Sequence, residues 1–148
     1  MKNIMKKILI INGPNLNLLG NRENKIYGNL TLAQIEKECI KKANSYQIPL
    51  LCFQSNSESA IIDKIHQIEE LQITDIIVNL GAYSHTSIAI LDALKATNCN
   101  IFEVHLSNIF AREEFRHKSY VSNIAKVVIT GAKHFGYLML IDLIAQSN

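Results

Sequence analysis

At 148 residues the chain has room for one domain, and a domain of that size buries roughly two-thirds or more of its unfolded surface without needing staples. Hydrophobic residues make up 48% and charged residues 19%, as in an ordinary globular protein. Fifteen basic against thirteen acidic residues give a net charge of +2, dispersed in pairs such as Lys6-Lys7 and Lys41-Lys42, which argues against an extended nucleic-acid footprint.

The elements follow in order. Residues 7–11 form a β-branched-rich run, apolar from Ile8 to Ile11, expected of a strand buried on both faces, and end in Asn12-Gly13-Pro14-Asn15. Residues 16–30 have no clean period, and a loop this long in a compact domain is usually functional or disordered; the expectation is mobility across residues 17–28. Thr31 to Gln34 fits a capping box, followed by Leu32, Ile35, Cys39, Ile40 and Ala43 at helical spacing. Residues 50–53 make a second strand, closed by Gln54-Ser55-Asn56. Ser55 or Ser57 opens a helix with Ile61, Ile62, Ile65 and Ile68 on one stripe. Residues 74–78 make a third strand, ending Asn79-Leu80-Gly81-Ala82-Tyr83-Ser84-His85. Thr86 or Ser87 caps a helix with Ile88, Leu91 and Leu94 inward.

Residues 101–108 read as a fourth strand that runs into a polar cluster. Side chains alternate across a strand, so Glu103 and His105 share a face and the carboxylate is placed to orient the ring. Residues 109–120 are polar and partly helical by pattern. Residues 127–129 form a fifth strand, and Leu138, Ile141 and Ile144 mark a closing helix.

Strands alternating with helices of about a dozen residues predict one doubly wound α/β domain with a parallel five-stranded sheet, order 2-1-3-4-5. Its ligand crevice lies outside the carboxyl ends of the strands, at the switch between the first and third. Asn12 to Asn15, Asn79 to His85 and Glu103 to Ser107 converge there. The cysteines Cys39, Cys52 and Cys99 are widely spaced in apolar contexts, with no zinc spacing, and read as core residues in a reducing compartment. The apolar run at residues 8–11 is too short for a signal-peptide core, and no run approaches the ~20 residues of a membrane span. The expectation is a cytoplasmic protein.

GxGxxG, the phosphate-binding GxxxxGK[ST] and the GxSxG elbow are all missing, so dinucleotide binding, P-loop chemistry and elbow hydrolases are unlike this chain. His85, Glu103 and His105 offer a two-histidine, one-carboxylate metal set, weakened because two of the three alternate on one short strand. The long loop carries Arg22 and Tyr27. A guanidinium favours a phenolate, and a phenolate facing a histidine supplies base and acid on opposite sides of a ligand, as an elimination needs. As bare residues they read equally as solvated loop side chains.

Five motifs in order carry a resemblance. They are Gly13-Pro14-Asn15-Leu16-Asn17-Leu18-Leu19-Gly20-Asn21-Arg22 with Tyr27-Gly28; Gln54-Ser55-Asn56; the run from Asn79 to Ser87; Glu103-Val104-His105-Leu106-Ser107-Asn108; and Arg112-Glu113-Glu114-Phe115-Arg116. On these the chain resembles type II 3-dehydroquinate dehydratase over nearly its whole length.

The resemblance implies a flavodoxin-like fold and anti elimination of water from 3-dehydroquinate, through an enolate, to 3-dehydroshikimate. It implies Tyr27 as base, Arg22 keeping it ionised, Asn15 holding a water at the enolate, and His105 as acid oriented by Glu103. Asn79, His85, Asp92, Leu106, Ser107, Arg116 and Arg112 would contact substrate, with backbone N–H groups of Leu106 and Ser107 on its carboxylate. It implies no metal or other cofactor, no nucleic acid or membrane partner, and a homododecamer of trimers in which a site borrows an aspartate from a neighbour, Asp92 being a candidate. Leu80, Ser59 and Phe110 depart from the family's usual Pro, Gly and His. The rival readings are a silent flavodoxin-like module for a polyol or flavin, and a metal-dependent hydrolase.

Overall fold

The computed structural model describes residues 5–147. Five parallel strands form one sheet in the order β2-β1-β3-β4-β5: β1 Ile8–Asn12, β2 Leu50–Gln54, β3 Asp75–Asn79, β4 Asn100–His105 and β5 Val127–Thr130. This is the doubly wound order read from the sequence. In β1 and β3 all five residues are buried, because helices cover both faces. β2 and β5 are the edges, and Leu51 and Val128 remain exposed there.

The two faces hold separate cores. Ile8, Ile10, Ile77, Phe102, Val104 and Leu106 pack beneath α2 (Leu32–Ser45) and α5 (Phe135–Gln146). Leu9, Ile11, Ile76, Val78 and Ile101 pack beneath α3 (Glu58–His66) and α4 (Ile88–Lys95). Each fully buried Ile or Leu contributes roughly 1.5–3 kcal/mol. Gly136 lets α5 lie close to the sheet: a Cβ there would meet Val104 Cγ2 at 2.7 Å. Among the described residues no helix is long and apolar enough to cross a membrane.

Thr31 caps α2 with the expected reciprocal pair, its hydroxyl taking the Gln34 N–H while Gln34 Oε1 takes the Thr31 N–H at 2.9 Å. Ser57, not Ser55, caps α3, and Ser87, not Thr86, caps α4. That start sets the phase of α4. Its buried stripe is Ile90, Ala93 and Leu94; of the expected inward set Leu94 is buried, Leu91 is half-buried and Ile88 is 56% exposed.

Two irregular segments carry finer structure than the sequence pattern showed. Residues 16–30 contain a 3-10 turn at Leu16–Leu18 and one short helix, α1 (Asn24–Tyr27). Four residues are too few for a hydrophobic period. Residues 109–120 form no α-helix but separate 3-10 turns, Ile109–Ala111 and Glu114–Arg116, followed by Val121–Asn123. Their polar side chains bond outward and to one another, Arg112 to Tyr27, Arg116 to Glu113 and Ser119 to Glu103, instead of building a packed stripe. Cys39 is buried and Cys52 and Cys99 are half-buried, all three free; burial pushes the Cys52 thiol up to about 12, so it stays protonated.

Candidate active site

The cavity lies where the sheet order reverses, at the carboxyl ends of β1, β3 and β4, and measures about 200 Å³. Three elements set its floor. Gly13 passes against β3 so closely that a Cβ would lie 2.1 Å from the Leu80 carbonyl oxygen. Leu80 itself holds φ −81°, close to the range to which a proline ring is locked. Asn15 follows in the left-handed region at φ 66°, which asparagine tolerates. Its N–H donates to Asn56 Oδ1 at 3.0 Å, and Gln54 Nε2 donates to the Gly13 carbonyl at 3.1 Å. Tyr83 in turn donates to the Asn56 carbonyl at 2.8 Å. The Gln54-Ser55-Asn56 motif therefore holds the turn that presents Asn15.

On one side of the cavity stands His105, 5% exposed, with Glu103 directly behind it at 1%. Nε2 of His105 lies 2.7 Å from Glu103 Oε1. The carboxylate only accepts, so Nε2 carries a proton and Nδ1 is the nitrogen left for chemistry. Ser119 and Ser122 donate their hydroxyls to Oε1 and Oε2 respectively. Burial pushes the Glu103 carboxyl upward, but the hydrogen bond and charge of His105 and the two serine hydroxyls outweigh it and hold the group below the ordinary carboxylate range.

His85 stacks beside His105, with ring centroids 6.2 Å apart and planes 17° from parallel. Its Nδ1 is 2.8 Å from the Lys118 carbonyl, so Nδ1 bears the proton and Nε2 remains an acceptor. Burial holds His85 below its usual range, despite the Lys118 bond.

The loop closes the other side. Arg112 NH1 donates to the Tyr27 hydroxyl at 2.7 Å, across 85 residues of chain. Arg22 does not bond the phenol. Its guanidinium carbon lies 5.2 Å from the Tyr27 ring centroid and its buried Nε has no partner among the described residues. Lys133 ties the loop down by donating to the carbonyls of Lys25 and Ile26, both at 3.2 Å. Glu113 pairs with Arg116 at 2.9 Å and with Arg112 at 3.6 Å.

Asn15, Arg22, Tyr27, Asn79, His85, His105, Leu106, Ser107, Arg112 and Arg116 thus all line one cavity. Glu103 stands behind it. Asp92 is the exception: it is exposed on α4 and outside the cavity of its own chain. Sequence reasoning missed Ser119 and Ser122, whose serine identity carries no signal, and the Glu113 clamp, whose motif gave no direction. The metal reading fails on geometry. Both Glu103 oxygens are taken by His105, Ser119 and Ser122, and among the described residues no three His, Cys, Asp or Glu side chains gather to hold an ion.

A guanidinium-bonded phenol facing a carboxylate-backed imidazole across a small polar cavity is acid–base equipment for one ring-sized ligand. Residues 6–145 match the family model for dehydroquinase class II. The 3-dehydroquinate dehydratase of Legionella pneumophila is 52% identical over 142 residues, spanning 96% of this chain and 98% of that protein. The type II dehydroquinase structure from Butyrivibrio crossotus DSM 2876 superposes with a TM-score of 0.91 at 44% identity, covering 96% and 98% of the two chains. The one from Propionibacterium acnes gives 0.91 at 38% identity, covering 96% and 97%. With the strand order, the cavity and a match along nearly all its length in agreement, the chain belongs to the class II dehydroquinase family.

Proposed function

We propose that this chain dehydrates 3-dehydroquinate to 3-dehydroshikimate, the shikimate-pathway step, by anti elimination through an enolate. The observation that carries the mechanism is Tyr27, bonded by Arg112, facing His105, backed by Glu103, across one cavity. Tyr27 as phenolate takes a proton from the carbon beside the ketone. Two guanidiniums lie within 5.4 Å of its ring centroid and balance that negative charge. The electron pair moves into an enolate, stabilised through a water at Asn15. His105 gives the Nδ1 proton to the departing hydroxyl on the opposite face, Glu103 balancing the imidazolium until then. Water leaves, and solvent returns a proton to His105 and takes one from Tyr27.

The backbone N–H groups of Leu106 and Ser107 receive the substrate carboxylate, and Asn79, His85 and Arg116 receive its hydroxyls. His85 Nε2, an acceptor, suits a hydroxyl and not a carboxylate. The chemistry uses no metal or other cofactor. Ultraviolet absorbance of the conjugated product, followed with a chelator present, tests the reading. A rise that survives the chelator is expected. No rise from folded protein would remove the lyase and favour a binding module, and a rise abolished by the chelator would favour a metal enzyme.

The chain works as a cytoplasmic homododecamer of trimers in this reading. Its three cysteines are free, and Ile88 and Asp92, one turn apart on α4, share an exposed face. Asp92 then serves a neighbour's cavity. Light scattering should give twelve chains, and Asp92→Ala should raise KM; a monomer with full activity would sink this assembly.

A further inference from the structure

Beneath the cavity floor runs a hydrogen-bonded relay that the acid–base chemistry does not use. Tyr137 of α5 is wholly buried. Its hydroxyl donates to Asn12 Oδ1 at 2.6 Å and accepts from Asn79 Nδ2 at 2.9 Å. Asn12 and Asn79 are paired residues at the ends of β1 and β3. The relay therefore joins the switch point to α5, which covers the face toward which both asparagines point.

Its direction is determined. A phenol has one proton, and burial drives the Tyr137 ionisation far above the ordinary range, so that proton stays on. Asn12 presents Oδ1 toward Tyr137, and its buried Nδ2, without a hydrogen-bond partner among the described residues, turns toward the half-buried carboxyl of Glu36 on α2. The phenol proton goes to Asn12, so the phenol oxygen must accept, and only the Nδ2 edge of Asn79 can donate to it. The other edge is set consistently, because Asn79 Oδ1 accepts the Gly81 N–H at 3.4 Å.

An unrestrained carboxamide turns over at little steric cost, since its oxygen and nitrogen are nearly the same size. Turning it would exchange donor for acceptor on both edges of a side chain that lines the cavity. We propose that Tyr137 is a positioning residue for the dehydration: through Asn12 it locks the Asn79 amide in the one orientation that meets the substrate. The proposal rests on the reading that Asn79 contacts 3-dehydroquinate.

The test is Tyr137→Phe, which keeps the ring that fills the core and deletes the hydroxyl. A lost orientation weakens ground-state and transition-state binding alike, so KM should rise about tenfold with kcat nearly unchanged. In an Asn79→Ala background the same change should leave KM where Asn79→Ala alone puts it. An equal rise in both backgrounds, or no rise in either, would overturn the proposal. Asn12→Ala, which leaves Tyr137 in place but frees its proton to turn toward Asn79 Oδ1, is the second variant and should raise KM in the same direction.

A readout independent of turnover separates this from the family reaction. In 15N NMR the Asn79 side-chain amide of the wild type should show two distinct, slowly exchanging protons, and Tyr137→Phe should speed that exchange at least tenfold. An unchanged amide would overturn the proposal whatever the enzyme turns over. A changed amide with no turnover of 3-dehydroquinate by the wild type would retain the relay and remove the reaction.

Discussion

Tyr27→Phe should lower kcat for dehydration about 10²–10⁴-fold, the range that a positioned base contributes. The ring itself is half-buried against the α2/α5 core, so phenylalanine keeps the packing and the change is confined to the hydroxyl. That hydroxyl is held by Arg112 at 2.7 Å. Loss of one partly exposed hydrogen bond leaves Arg112 still paired with Glu113 at 3.6 Å, and the unfolding temperature should move by only a few degrees. Arg112→Ala should follow in the same direction, with a kcat loss at least as large as that of Arg22→Ala, because only Arg112 bonds the phenol. Initial rates by ultraviolet absorbance decide both points. Retention of more than about a tenth of the wild-type rate by Tyr27→Phe would remove it as the base.

Glu103→Gln should cost both activity and stability. The carboxylate is 1% exposed and accepts from His105, Ser119 and Ser122, so each oxygen is committed. A glutamine can accept at one atom only; its NH₂ meets donors instead. Breaking a buried charged pair in this way costs about 3–5 kcal/mol, which in a chain of 148 residues lowers the unfolding midpoint by about 10 °C. The kcat loss should reach about 10²-fold, since the imidazolium then lacks its countercharge.

The pH dependence has a definite sign. Burial raises the Glu103 carboxyl, but His105 and the two serines hold it below the ordinary range in the folded protein. A group depressed on folding contributes its stability fully above the unfolded value, about pH 4, and loses it as pH falls through the folded value. The stability gap between wild type and Glu103→Gln, measured by urea unfolding, should therefore be widest near neutrality and narrow below about pH 4. A gap that stays constant down to pH 3 would mean that the charge of Glu103 does not stabilise the fold.

Most of the architecture was legible because its signals are local. A β-branched run, a Thr–Gln pair three residues apart or an apolar stripe is complete within one element, and five such strands alternating with helices leave few topologies. The error came where an element's phase hangs on few turns, as at Ile88 of α4, placed inward by its spacing but exposed. In the site, the polar strand ends and the Glu103–His105 pair followed from alternation along a single strand. Arg22 was read as the partner of Tyr27 because it is near in sequence.

What the sequence determined by itself is the sheet order, the position of the crevice and the family to which its motifs point. All of these depend on residue order and spacing of at most a few turns. Only the tertiary structure decided that Arg112, 85 residues from Tyr27, makes the bond to the phenol, that Ser119 and Ser122 complete the shell of Glu103, that Tyr137 bonds the Asn79 amide, and that Asp92 lies outside its own cavity. A hydrogen bond requires a fit within a few tenths of an ångström. That fit is set by how closely helices and strands distant in sequence pack, and the spacing of residues along the chain does not encode it.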